Sequence, residues 1–238
     1  MAIPLFLGLL ILLLPLSSEA ARMMGKIIGG QKAMPHSRPY MAYLHIHEED
    51  DIFLCDGFLI REDFVMTAAH CMGRSIEVSL GVHDTSKKPL QKIRVKHQIS
   101  HPDFNTDDME NDIMLLKLSE NATLCHDVTT IALPEGQDAK VPAQCSVSGW
   151  GRLLVNEPQR PHELREVKVT VSNSEKCPKE ICVRGNMGPA QGDSGGPLVC
   201  DGVAHGVVSH FQIFEKDFLF VYTKISTYMP WIHKEMKK

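Results

Sequence analysis

One serine, Ser194, lies in the run Gly192-Asp193-Ser194-Gly195-Gly196-Pro197. A serine hydroxyl becomes a nucleophile only with a base to take its proton, a group to orient that base, and donors for the oxyanion that develops. Distant stretches of the chain offer one residue for each role. His70 ends the apolar run "VMTAAHC" and is followed at once by Cys71, and a bond from Cys71 to Cys55 would fix the loop holding the imidazole. Asp112 opens "DIMLLKL" as a lone carboxylate before a buried strand, where it could hold the imidazole tautomer. Gly192 and Ser194 can aim two backbone N–H groups at one point, because glycine permits the tight turn required. Taken singly, each feature also fits a plain structural role: a surface turn, a histidine packed beside a disulfide, an aspartate at a strand start.

The elements that must position these residues read as strands. Past residue 26 the chain shows short alternating apolar runs, among them "YMAYLHIH", "FLIREDFVM", "IEVSLGVH", "KIRVKHQI", "CSVSGWG", "LREVKVTV", "GPLVC" and "GVAHGVVSHF". Turn residues interrupt them every ten residues or so, the signature of an antiparallel sandwich or barrel. The final "STYMPWIHKEMKK" carries Met229, Ile232 and Met236 at helical spacing and reads as a C-terminal helix docked by Trp231. "ALPEGQDAKVPA" is a polar, proline-containing linker near the middle, the best candidate boundary between two β units.

The 238 residues suffice for one large domain or two small ones. "MAIPLFLGLLILLLPLSSEA" is an apolar block of about a dozen residues that ends in small ones, the pattern of a secretory signal over residues 1–20. It is too short, and too broken by Pro4 and Pro15, to span a membrane. In an oxidising compartment the seven cysteines read as disulfides first and metal ligands second. No Cys-x-x-Cys pair occurs, which argues against a zinc ribbon, and the odd count leaves one thiol over. Asn121-Ala122-Thr123 is a glycosylation sequon. The formal charge is −4, and removing residues 1–26 takes away Arg22, Lys26 and Glu19 to leave −5, which argues against a nucleic-acid surface. His45 and His47 alternate on one strand face ahead of the acidic run Glu48–Asp51, but no third metal ligand is placed by spacing, and no metal site is expected there.

"KIIGGQ", "TAAHC", "DIMLL", "SGWG" and "GDSGGPL" occur in the order and approximate spacing of the trypsin-like serine proteases, and the resemblance covers residues 27–238. "PHSRPYMAYL", "NDIMLLKL" and the lack of a cysteine pair near the specificity pocket look most like granzymes and mast-cell proteases. The resemblance implies an all-β fold of two packed antiparallel six-stranded β-barrels with a C-terminal helix. Residues 27–134 would form the N-terminal barrel and residues 135–238 the C-terminal one, together a single peptidase domain. It implies a secreted or granule-stored endopeptidase with His70 as general base, Asp112 as its orienting acid and Ser194 as nucleophile. It implies no cofactor, protein or peptide substrates, an activating protease, a serpin-type inhibitor and a monomer. Family pairing gives Cys55–Cys71, Cys145–Cys200 and Cys177–Cys182, leaving Cys125 as the odd thiol, either buried or linking two chains, with burial the expectation. Residues 21–26 would be an activation segment, and cleavage after Lys26 would free an Ile27 ammonium to pair with Asp193. Granzymes usually carry a shorter acidic dipeptide there, so the lysine suggests a trypsin-like activator.

Two departures bear on activity. Only "PKEI" separates Cys177 from Cys182, which truncates the wall of the outer subsites. The base of the pocket for the residue before the cut bond falls on Gly188, so trypsin's aspartate is missing and a cationic side chain would find no counter-charge. The pocket wall falls around Ser209, His210 and Phe211, with Phe220 facing the same space and Asp217 or Lys216 able to reach inward. Phe211 and Phe220 leave room for small aliphatic side chains at most, so slow cleavage after small apolar residues is expected. The alternative is a catalytically impaired relative that acts as a binding or antimicrobial immune effector.

Overall fold

A computed structural model describes residues 27–152, 160–172, 177, 179–214 and 217–238. The expected signal and activation segments, with Lys26, lie outside the described residues, as does Lys216. The strands are β1 (Gln31–Lys32), β2 (Met41–His47), β3 (Ile52–Arg61), β4 (Phe64–Thr67), β5 (Ser75–Leu80), β6 (Gln91–Ser100) and β7 (Met114–Leu118) in the first half. The second half adds β8 (Ala143–Gly149), β9 (Arg165–Val171), β10 (Glu180–Gly185), β11 (Pro197–Cys200), β12 (Val203–Ile213) and β13 (Phe218–Lys224). One helix, α1 (Ile225–Glu235), ends the chain.

Alternation decides which face each strand buries. In β9, Val167, Val169 and Val171 point inward while Lys168 and Thr170 face solvent. Strands β2-β3-β4-β7-β6-β5 close into a barrel around Leu44, Phe58, Phe64, Met66, Leu80 and Leu116. The second half is a seven-stranded antiparallel sheet in the order β1-β9-β8-β11-β12-β13-β10. It curls far enough for Val169 of β9 and Val183 of β10 to share one core, but no ladder joins those strands among the described residues. Part of the outer edge of β9 is already taken, since Arg165 and Glu166 pair with β1. The architecture is therefore the expected all-β one, with one closed six-stranded barrel, a half-barrel and a C-terminal helix among the described residues.

Both chain ends cross between the halves. β1 comes from the start of the described chain and joins the second sheet, while α1 follows that sheet and packs on the first barrel. The helix docks through Ile225, Tyr228, Met229 and Ile232. Trp231, expected to be the anchor, stays half-buried with its ring 5.1 Å from His101.

The three expected disulfides are present. Cys145 and Cys200 are directly opposite each other on β8 and β11, so this bridge ties neighbouring strands of the curled sheet. Cys125 is free but exposed, against the expectation of burial. It sits in a surface segment where Ala122 and Val128 take the inward positions and leave the thiol outside. Asn121 is exposed in the same segment.

Candidate active site

The site is built where the barrel and the curled sheet meet. His70 sits in a single 3-10 turn, Ala69–Cys71, held to β3 by the Cys55–Cys71 bridge. Asp112 lies just ahead of β7, fully buried. Its Oδ1 accepts the backbone N–H of His70 at 3.0 Å, and its Oδ2 lies 2.8 Å from His70 Nδ1. Ser209 Oγ donates to the same Oδ2 at 2.6 Å, and Thr223 Oγ1 donates to the Asp112 carbonyl at 2.8 Å. Burial alone would raise the Asp112 carboxyl, but the hydrogen bonds from His70 and Ser209 outweigh it and hold the group below the usual carboxylate range. A carboxylate can only accept, so Nδ1 of His70 donates, and in the neutral imidazole this makes Nε2 the acceptor.

Ser194 lies on the opposite wall. His70, Met109, Ala190, Ser194, His210 and Phe211 line one cleft of about 350 Å³. No hydrogen bond joins Ser194 to His70 among the described residues; such contacts are often long in unliganded enzymes and tighten with substrate. The turn that carries Ser194 is pinned on both sides. Asp56 N–H donates to the Ser194 carbonyl at 2.8 Å, and Gly195 N–H donates to the Val208 carbonyl at 2.8 Å. Gly192 has φ 103°, a conformation that L side chains rarely adopt. The N–H groups of Gly192 and Ser194 find no protein acceptor among the described residues.

Asp193 points away from the cleft. Its Oδ1 accepts from Gly151 N–H and its Oδ2 from Ala190 N–H, each at 2.7 Å. Burial lifts its carboxyl to about 6, against the lowering effect of those two bonds. Ile27 is fully buried in the core of the curled sheet, and Ile28 forms an antiparallel bridge with Gly188.

The pocket residues come together, with differences in role. Gly188 lies under the Phe220 ring: a Cβ on Gly188 would fall 2.6 Å from a Phe220 ring carbon. Phe220 is fully buried and pairs directly with Phe211 across β12 and β13. The ring centroids of Phe211 and Phe220 are 6.4 Å apart, and Phe218 stacks on Phe220 at 5.7 Å. Ser209 spends its hydroxyl on Asp112, not on the pocket. His210 Nδ1 lies 3.1 Å from Ser209 Oγ, and since that hydroxyl donates to Asp112, it accepts from His210. Burial lowers the His210 pKa, while Glu180 and Asp112 pull it up and His70 pushes it down. Asp217 does not reach inward; it pairs with Arg184 at 2.8 Å on the surface.

Sequence reasoning missed two charged residues beside the Ser194 turn. Asp56, on β3, is fully buried against Asp193, and Arg160 lays its guanidinium over Gly192. The signal for Asp56 was legible: a lone carboxylate inside the apolar run "FLCDGFLI". Among the described residues, two groups of His, Cys, Asp or Glu are close enough to hold a metal, Cys55–His70–Cys71 and Cys177–Glu180–Cys182, and each is built on a disulfide, whose sulfurs are not thiolate ligands. Among the described residues no helix is long and apolar enough to cross a membrane.

Comparison with known proteins gives this geometry a family. The family profile described as Trypsin matches residues 27–232. Duodenase-1 of Bos taurus is 44% identical, over 97% of this chain and 96% of its own length. Granzyme B of Homo sapiens is 43% identical, over 99% of both chains, and cathepsin G of Homo sapiens is 42% identical, over 98% and 94%. A solved structure described as "Structure of GrC" superposes with a TM-score of 0.80 at 40% identity, covering 88% of this chain and 99% of its own. The chain belongs to the trypsin family and is a serine endopeptidase related to the granule proteases.

Proposed function

We propose that the protein is a secreted or granule-stored zymogen whose cleaved form hydrolyses peptide bonds after small apolar residues, using Ser194, His70 and Asp112. Ser194 Oγ attacks the scissile carbonyl as His70 Nε2 takes its proton. Asp112 holds the imidazole in the required tautomer and stabilises the imidazolium. The N–H groups of Gly192 and Ser194 receive the oxyanion, His70 returns the proton to the leaving amine, and water then resolves the acyl-enzyme by the same steps. The observation that carries this reading is the hydrogen-bonded set His70–Asp112–Ser209 facing Ser194 across one cleft.

Cleavage between Lys26 and Ile27 is the proposed switch. Asp193 is buried and makes no ion pair among the described residues, and the new Ile27 ammonium would supply one. The backbone of Ile27 supports this: its φ of 30° is unfavourable for a β-branched residue. Cleavage removes the preceding carbonyl and with it that torsion, so the strain disappears when the bond is cut. The substrate preference rests on the Phe220 ring over Gly188, which leaves no charge and little depth for the residue before the cut. Asn121 is the proposed glycosylation site. Protein or peptide substrates, an activating protease and a serpin-type inhibitor are the proposed partners of a monomer.

The same Phe220 ring favours a second reading, a catalytically silent effector whose pocket never opens. Cutting the chain at Lys26 and screening a peptide library separates the two. Cleavage after Ala or Val that is absent from the uncut chain is expected; no cleavage of any peptide would leave the effector reading.

A further inference from the structure

Gly149 and Gly151 make room for two carboxylates, not one. A Cβ on Gly149 would overlap both Asp193 Oδ1 and Asp56 Oδ2, so the two oxygens face each other across that bare α-carbon. A Cβ on Gly151 would fall 2.5 Å from Asp193 alone. Asp193 has each oxygen satisfied by a backbone N–H. Asp56 is not so provided: Oδ2 takes one long bond from Trp150 N–H at 3.3 Å, and Oδ1 is buried with no partner among the described residues. A fully buried, half-satisfied carboxylate against a second carboxylate is destabilising and calls for a ligand.

A cation is due at this place. Ile27 shares one core with Val147, which leads β8 into Gly149, and with Leu198, just past the Ser194 turn. Ile28 pairs with Gly188, two residues before the Ala190 N–H that binds Asp193. An ammonium at Ile27 brings three N–H donors, and Asp56 Oδ1 is an unused acceptor beside the one expected to receive it. Resting on the activation switch proposed above, we infer that Asp56 is a second anionic wall of the activation pocket, and that Asp56 and Asp193 hold the Ile27 ammonium jointly.

The charges balance on this arrangement. In the uncut chain, burial and the neighbouring Asp193 both raise the Asp56 carboxyl well above its usual range and so favour its protonated form. Hydrolysis at neutral pH itself yields the Lys26 carboxylate and the Ile27 ammonium with no net proton change, and the entering ammonium favours the ionised form of Asp56, whose proton leaves to solvent. The pocket then holds two carboxylates, the ammonium and the Arg160 guanidinium. Arg160 lies over Gly192 with its Nη1 buried and unpartnered, and it favours the ionised form of both Asp56 and Asp193. The other titratable groups facing the pair are Tyr43 from β2 and Tyr222 from β13, whose phenol pKa values burial and the nearby carboxylates both push up, so both stay neutral. Asp56 does not touch substrate. It is a positioning residue that acts through Ile27 and the Ser194 turn.

The test is the alkaline limb of kcat/KM, where loss of the ammonium proton releases the turn. For the full chain cut at Lys26, Asp56→Asn should move the midpoint of that limb down by at least one pH unit, a tenfold weaker hold on the proton, and leave the acid limb in place. A uniform drop at all pH values, or an unmoved alkaline midpoint, overturns the inference. Asp193→Asn serves as the separate check: if it stays fully active, the activation reading itself fails, whatever Asp56 does. Should Asp56→Asn not fold, Asp56→Gly is the second variant, read by cyanate labelling of the Ile27 amine: the cut Asp56→Gly protein should carbamylate at least tenfold faster at pH 8 than the cut unaltered protein, and equal rates contradict the joint pocket.

Discussion

Replacing Phe220 with alanine tests what closes the substrate pocket. The ring is fully buried, stacks on Phe218, touches Phe211 and lies directly over Gly188. Removing a buried phenylalanine costs about 3–5 kcal/mol of stability, part of which is the cavity left behind. That is a large share of the ~5–15 kcal/mol of a typical domain, yet it leaves the protein folded. The same cavity opens onto the floor of the cleft, where a substrate leucine or phenylalanine can refill it. Burying such a side chain is worth about 1.5–3 kcal/mol, so kcat/KM for peptides with a large apolar residue before the cut should rise about 10- to 150-fold relative to alanine peptides. The assay is a matched peptide series with Ala, Val, Leu and Phe before the cut, run beside thermal melts of both proteins. A folded Phe220→Ala protein with an unchanged leucine-to-alanine ratio would refute the reasoning. Adding Phe211→Gly, which clears the mouth above Phe220, should enlarge the gain.

Other consequences follow from single groups. Burial raises the folded-state Asp193 carboxyl to about 6, so its contribution to the stability of the uncut chain is fully present below the unfolded value near 4 and is lost as pH rises through 6. Melting the uncut protein from pH 4 to 7 should show that loss, on the order of 3 kcal/mol, and Asp193→Asn should flatten it. Ser209→Ala removes a charge-assisted hydrogen bond to buried Asp112, and steady-state kinetics should show kcat falling about tenfold or more with KM nearly unchanged. Cys125 is the one free, exposed thiol, so iodoacetamide should modify a single cysteine in the native protein without loss of activity.

The residues proposed to react were legible because each sits in a short motif whose chemistry is local: a serine among glycines, a histidine beside a cysteine, an aspartate opening an apolar run. Alternation likewise marked β9, where one face is wet, while β4 and β7, buried along nearly their whole length, showed as apolar runs. β13 escaped because "FLFVYTK" is a nearly continuous apolar run that passes into α1 with no turn residue between them. β10 escaped because it starts beside a disulfide and buries only Cys182 and Val183 fully. The obstruction of the pocket depends on register, with Phe211 facing Phe220 only after an irregularity between Val208 and His210. Asp56 has an environment no local pattern could give, since β3 is covered outside the barrel by the Ser194 turn of the other half. Ser209 was placed on the pocket wall by its position in the chain, and only the fold shows its hydroxyl committed to Asp112.

The central claim is that cleavage after Lys26 turns Ser194 into a nucleophile. Its most direct measurement is labelling of the cut and uncut chains with a small-side-chain phosphonate, followed by mapping of the modified peptide by mass spectrometry. The account expects stoichiometric phosphonylation of Ser194 alone in the cut protein, at a rate at least a hundredfold above the uncut one, on the order of removing an oxyanion donor. Equal labelling of both chains, or a folded cut protein that does not label at Ser194, would contradict it.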